Sequence, residues 1–295
     1  MGTSQVVKVI LDYDGTLTAE EGQVGELAEK SLYTLSRDIL QVALSQLRED
    51  YARTRAKVLA EPYRYYWEVN GGIASYGDEG AFITNTTTIQ TMLRENRSYT
   101  EAVGRYFPDF EYDPIMDCSN YLFHKHTFEL PPCFRPAAET VLRKLVDQSD
   151  LEPMILSSSK GDKVTKNLET IGFGELRVLG DTRQYGIDPS WRKQFVHPEQ
   201  GKGQIFRVDE LHTIDLRRPA YYEKLTMEME GARRLVVVAD TFSMPGAMPM
   251  MMGIPFFLLR TPYTPWWCER YVAAHPWGEI LPDLAALPDQ VGSLL

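Results

Sequence analysis

Disulfide chemistry has little to work with in this chain. Its 295 residues include three cysteines, Cys118, Cys133 and Cys268, an odd number set far apart with no short paired spacing. That pattern excludes a disulfide framework and a cysteine-based structural zinc site. Positive charge is also in deficit, with 31 Lys and Arg against 41 Asp and Glu. A net charge of −10 argues against a phosphate-backbone footprint on nucleic acid and against adhesion to an anionic membrane, leaving small molecules or proteins as partners. Long apolar runs are missing too: the longest, 244–259, is broken by Pro245, Gly246, Pro249, Gly253 and Pro255, so no transmembrane helix is expected there. The N-terminus shows no apolar run followed by a small-residue cleavage site. A secretory signal is therefore not supported, and a reduced, cytoplasmic location is expected. There is no internal repeat and no low-complexity tract.

What is there is the composition of a folded, water-soluble chain, long enough for about two domains. Short apolar runs of the buried-strand type lie at 6–11, 153–156, 176–179, 235–239 and 254–259. Helical patterns, such as 137–146 and 163–171, separate several of them, which predicts βαβ units and a parallel sheet covered on both faces. Residues 19–131 differ: apolar residues recur at three- and four-residue intervals. Leu32, Leu35, Ile39 and Val42 make one stripe, with Leu40, Leu44, Leu47 and Tyr51 beside it, and both read as core-facing helix surface. Further helices are expected at 86–94 and 99–106, and the glycine-rich stretch 70–80 reads as a turn region and mobile loop. The expected fold class is thus α/β, a doubly wound, Rossmann-like parallel sheet. Its core is residues 1–18 plus 132–295, interrupted after the first strand by a mainly helical domain, residues 19–131. The insertion holds 18 acids and 11 bases, the remainder 23 and 20, so most of the excess acidity lies in the insertion.

In such sheets ligands bind beyond the carboxyl ends of the strands. The first strand ends in Asp12-Tyr13-Asp14-Gly15-Thr16-Leu17-Thr18. Two carboxylates two residues apart are costly to bury without a cation or donors, although Asp-Gly also signals a turn and Asp also caps helices. The second strand ends in Ser157-Ser158-Ser159, hydroxyls that suit either a phosphate oxygen or a helix N-cap. The strand at 235–239 runs into Asp240-Thr241, a third carboxylate at the same sheet edge.

Taken together these strand ends resemble the haloacid dehalogenase (HAD) superfamily, whose first signature, a hydrophobic strand leading into DxDGT, stands here as VILDYDGTLT. The resemblance spans residues 6–18 and about 133–262, with the middle region matched only as an inserted cap. It implies a Mg²⁺-dependent phosphohydrolase acting on a small phosphorylated metabolite through an aspartyl-phosphate. Asp12 is implied as nucleophile and Asp14 as general acid/base, because a carboxylate attacks phosphorus and a second one nearby serves the leaving oxygen and then water. Thr16 is implied to support the loop and Ser157 to bind the transferring phosphoryl group, with Ser158 adding its backbone N–H. Asp12, the Asp14 backbone carbonyl and Asp240 are implied as Mg²⁺ ligands. The third signature calls for a fixed cation. Arg218 is the choice, with Lys193 and Lys202 in reserve.

The pattern departs at the fourth signature, where family members carry a second acid and this chain continues Thr241-Phe242-Ser243. One fewer charge weakens a Mg²⁺ site, so a catalytically impaired binding or regulatory protein stands as the alternative. A phosphotransferase or dehalogenase of the same superfamily ranks below it; the dehalogenase branch lacks an acid at the position of Asp14. Substrate selection is expected in the cap, with stretch 70–80 and Arg64 as candidate contacts. His124 and His126 read as alternating positions of an extended surface segment, and Trp266-Trp267 as packing of the C-terminal segment.

Overall fold

The computed structural model describes residues 6–294. They form two compact units, one running to Ala19 and resuming at Pro132, the other Glu20–Pro131. The chain opens with β1 (Val7–Leu11), buried at every position except Lys8, as a strand covered on both faces must be. Beyond the Asp12–Thr16 turn the chain leaves the first unit alongside its own return. Ala19 N donates to Cys133 O (2.7 Å), Arg135 N donates to Leu17 O (2.8 Å), and Thr18 and Phe134 form an antiparallel bridge. Exit and return are two lanes of one short ladder.

The inserted unit starts with α1 (Val24–Thr34) and α2 (Leu44–Ala60). The expected stripe is in its core: Leu32, Leu35 and Ile39 are buried with Leu40 and Leu47, and Val42, Leu44 and Tyr51 pack at the margin. The stripe does not run along one straight helix, because residues Leu35–Leu40 widen into a π-type turn that ends at Gln41 with φ 55°. The stretch 70–80, read from sequence as a mobile loop, is corrected by the structure. Asn70-Gly71 is the tip of a hairpin between β2 (Tyr66–Val69) and β3 (Gly72–Tyr76). Both tip residues have positive φ, 49° and 72°, which a type I′ turn demands and which an Asn-Gly pair adopts at low cost.

Three helices complete this unit, α3 (Ala81–Glu95), α4 (Arg97–Tyr106) and α5 (Pro114–Glu129). The last corrects a second expectation, since His124 and His126 lie on α5 and not in an extended segment. The start signal is Asp113, which accepts from the N–H groups of Ile115 and Met116 (2.9 Å each), followed by proline at the first helical position. His126 is buried, not a surface residue, and is held by Thr34 Oγ1 (2.9 Å) and Glu129 (3.3 Å).

Back in the first unit, α6 (Ala138–Val146) leads to β4 (Leu151–Leu156), α7 (Gly161–Glu169) and β5 (Val178–Leu179). Two small hairpins follow, β6 (Phe195–His197) with β7 (Gly201–Gly203), then β8 (Ile205–Arg207) with β9 (Thr213–Asp215). The chain continues through α8 (Pro219–Met229), β10 (Arg234–Ala239), α9 (Ala247–Met251), β11 (Phe256–Leu259), α10 (Trp266–Ala274), β12 (Gly278–Leu281) and α11 (Leu287–Gly292). Six strands make one all-parallel sheet in the order β12-β11-β10-β1-β4-β5. This is a doubly wound α/β fold. Its buried apolar cluster joins β1 side chains Val7, Val9 and Leu11 to Leu142 and Leu145 of α6, Val164 of α7 and Leu287 and Val291 of α11. Among the described residues no helix is long and apolar enough to cross a membrane.

The strand order reverses at β1: the chain moves outward to β4 and β5 on one side, then crosses to β10, β11 and β12 on the other. A crevice at the carboxyl ends of the strands flanking such a point is where a doubly wound sheet binds ligands.

Candidate functional site

The register of the sheet brings the expected residues to that point. Leu11 lies level with Val238 of β10 and Ile155 of β4, so Asp12, Asp240 and Ser157 all leave the sheet at one edge. Asp12 N donates to Val238 O (2.9 Å), which fixes where the chain turns. Gly15 permits the turn: it has φ +78°, and a Cβ there would collide with the Asp240 carboxylate. Thr16 is buried and reciprocally bonded to Asp240, its hydroxyl donating to Oδ1 (3.0 Å) and accepting from the Asp240 N–H (3.0 Å). Arg135, on the returning lane, donates through Nε (2.9 Å) and Nη2 (2.6 Å) to Gly15 O. The loop between the two aspartates is therefore tied down from β10 and from the point of return.

Electrostatically the site is crowded with negative charge. Burial pushes the Asp12 carboxyl well above the usual range, and repulsion from Asp240 and Asp14 adds to it. Asp240 is pushed up to about 7, again chiefly by burial, against the opposing pull of the Thr16 hydrogen bond and the Arg135 charge. Adjacent carboxylates in this condition are stabilised by a hard divalent cation. The carboxylates of Asp12 and Asp240 offer oxygen donors only, which suit Mg²⁺ in kind. Among the described residues no group of three or more His, Cys, Asp or Glu side chains is arranged to hold a metal. Asp12 and Asp240 are only two such side chains.

Asp14 has partners of its own. Its Oδ2 accepts from Ser159 Oγ (2.5 Å), and Lys163 Nζ stands 3.5 Å from its Oδ1 and 3.3 Å from Ser159 Oγ. Lys163 is 7% exposed and sits in the first turn of α7. Ser157 is buried, its Oγ accepting from Ser159 N (3.1 Å), which shapes the serine turn. Ser158 turns toward the far side of that loop, where its Oγ accepts from Gln184 N (3.2 Å).

The candidates for the third signature part company. Arg218 is 2% exposed, with Nε donating to Asp215 O (2.9 Å), and it acts electrostatically on Tyr221 together with Asp12. Lys193 lies over the Tyr222 ring, 4.9 Å from its centroid, and Lys202 is an exposed residue of β7. Of the remaining candidates, Arg64 pairs with Glu61 at the surface (3.3 Å). Trp267 stacks on His212 at 4.1 Å while Trp266 is 66% exposed.

Of three residues that serve the aspartate loop, Ser159 is named by the sequence only within its serine run, and Lys163 and Arg135 are not singled out. Lys163 carries a signal: a lysine in the first turn of a helix opposes the macrodipole and needs a local anion to offset it. Arg135 carries none, because it reaches Gly15 across an insertion of about 110 residues.

Neither a family model nor a curated protein matches the sequence. Solved structures do. A haloacid dehalogenase-like family hydrolase from Xanthomonas campestris shares 16% identity over 99% of this chain and 97% of its own, with a TM-score of 0.46. A HAD phosphatase from Thermococcus onnurineus shares 15% over 97% and 98%, with a TM-score of 0.45. A mutant of CbbY from Rhodobacter sphaeroides, in complex with xylulose-(1,5)bisphosphate, shares 13% over 96% of both chains, with a TM-score of 0.44. Identities and scores of this size carry no assignment of activity. Two of these three structures are described as haloacid dehalogenase-like or HAD proteins.

Proposed function

We propose that this chain is a HAD-type phosphohydrolase that cleaves a small phosphomonoester through an aspartyl-phosphate on Asp12. The observation that carries the reading is the different treatment of two carboxylates two residues apart. Asp12 is buried and its ionised form is opposed by the charges of Asp240 and Asp14, whereas Asp14 meets a serine hydroxyl and a lysine ammonium. Pairs of carboxyl groups with distinct surroundings support distinct nucleophile and acid/base roles.

In this mechanism an Asp12 oxygen forms a bond to phosphorus as the bond to the leaving oxygen breaks, and Asp14 delivers a proton to that oxygen. Water then attacks phosphorus, gives its proton to Asp14 and frees Asp12. Lys163 and Ser159 hold Asp14 at the position from which it serves both oxygens. Thr16 and Arg135 hold the loop that carries Asp12. Asp12, Asp240 and the Asp14 carbonyl would hold Mg²⁺, which when bound would supply charge neutralisation for an anionic phosphate.

Phosphate release from generic phosphomonoesters, with and without EDTA, tests the proposal. Metal-dependent turnover that disappears in Asp12→Asn is the expected result. The second reading, a binding protein of the same fold, draws on Asp240 being the lone acid of its segment. It is favoured if neither turnover nor binding of orthovanadate is seen.

A further inference from the structure

Tyr221 is a buried polar residue that the mechanism above does not use. Tyr221 lies in the first turn of α8, three residues after Arg218, and is 1% exposed. Its hydroxyl has no hydrogen-bond partner among the described residues. Nearly all buried polar groups in folded proteins are satisfied, and a phenol that only fills space is replaced without loss by phenylalanine of the same shape. The orphaned hydroxyl is also not remote from the chemistry. After burial, the Asp12 carboxylate is the main influence raising its pKa, while the Arg218 guanidinium opposes it. Geometry places the start of α8 beside the end of β4: Arg218 Nη1 donates to Gln184 O (3.5 Å), while Gln184 donates through N to Ser158 Oγ (3.2 Å) and through Nε2 to Leu156 O (3.0 Å). A neutral O–H donor placed there meets its acceptor when a group rich in anionic oxygens arrives at Asp12.

We propose that the Tyr221 hydroxyl donates a hydrogen bond to a non-bridging oxygen of the phosphoryl group transferred to Asp12, which makes it a catalytic residue of this site. The inference rests on the phosphohydrolase reading and adds a donor that the sequence motifs do not contain. Charge on those oxygens redistributes during transfer, so a preorganised donor aimed at them acts mainly on kcat. By analogy with loss of one donor to a developing oxyanion, its removal lowers kcat by about 100-fold.

Tyr221→Phe is the test, measured beside the wild type and Asp12→Asn by thermal denaturation, phosphate-release kinetics and titration with orthovanadate. If the inference holds, Tyr221→Phe melts at or above the wild-type temperature, because it deletes an unsatisfied hydroxyl. It also loses kcat by about 100-fold with a smaller change in KM, and binds vanadate about tenfold or more weakly. Wild-type kcat and vanadate affinity in Tyr221→Phe would overturn it while leaving the function intact, provided Asp12→Asn is inactive. A clear fall in melting temperature would also overturn it, since the hydroxyl would then be paired in the resting protein. An inactive wild type that binds no vanadate removes the function and this inference together.

Discussion

Replacing Asp240 by asparagine should stabilise this protein in the absence of metal, and should do so only above a definite pH. In an unfolded chain the carboxyl ionises near its ordinary value of 3.8, whereas in the folded protein it is pushed up to about 7 by burial. Below 3.8 both states hold the proton and the group is neutral in the balance. As pH rises, the unfolded state releases its proton first, so stability is lost progressively until the folded state also ionises at about 7. Above that point the folded protein carries a penalty on the order of 4 kcal/mol from this one residue. Asparagine has nearly the same shape, keeps an oxygen to accept from Thr16 Oγ1, and never ionises. In EDTA at pH 8, urea denaturation should therefore show Asp240→Asn more stable than the wild type by roughly 3–4 kcal/mol, with the gap closing as pH falls toward 4. Added Mg²⁺ should shrink or invert the gap, because only the wild type retains the full donor set. An asparagine variant no more stable than the wild type at pH 8 in EDTA, or a gap that ignores pH, would refute the account of a site held in charge imbalance.

Two further outcomes follow from the geometry. Gly15→Ala places a Cβ in a left-handed residue and against the Asp240 carboxylate, so it should lose on the order of 2 kcal/mol in denaturation and nearly all turnover; retention of both would show that the loop has room to adjust. Lys163→Met keeps the length of the side chain but removes the charge beside Asp14. It should lower kcat by about 10² or more while leaving KM close to the wild-type value, and unchanged kcat would remove Lys163 from the acid/base assembly.

The strand ends are legible because a parallel sheet with both faces covered writes itself as short apolar runs, and the residues that interrupt those runs are conspicuous. Asp12, Asp14, Ser157 and Asp240 are such residues, and the register at Leu11, Val238 and Ile155 puts them at one edge. What the linear pattern hides is contact made at long range or by geometry without a composition. The bond from Arg135 to Gly15 spans the insertion, and the meeting of Lys163 with Asp14 depends on how α7 leaves β4. Ser159 resembles its two neighbours in sequence, yet the turn alone decides that it, and not Ser158, reaches Asp14. β12 escapes the apolar pattern because Gly278-Glu279-Ile280-Leu281 is short and carries an acid, as an edge strand tolerates. The histidines of α5 mislead because two residues of spacing look like a strand when the cap at Asp113, eleven residues upstream of His124, is ignored.

The paired lanes at Leu17–Ala19 and Cys133–Arg135 make the inserted unit a replaceable module. To the sheet, everything between Ala19 and Cys133 is the connection of a hairpin, and its ends are already held at the spacing of an antiparallel pair. Lengthening such a connection raises the closure cost by only about 0.6 kcal/mol per doubling. Any autonomously folding unit whose termini emerge side by side can therefore occupy this position without disturbing the registry of β1, so the residues at its end can be joined to a different inserted unit by a single exchange of chain.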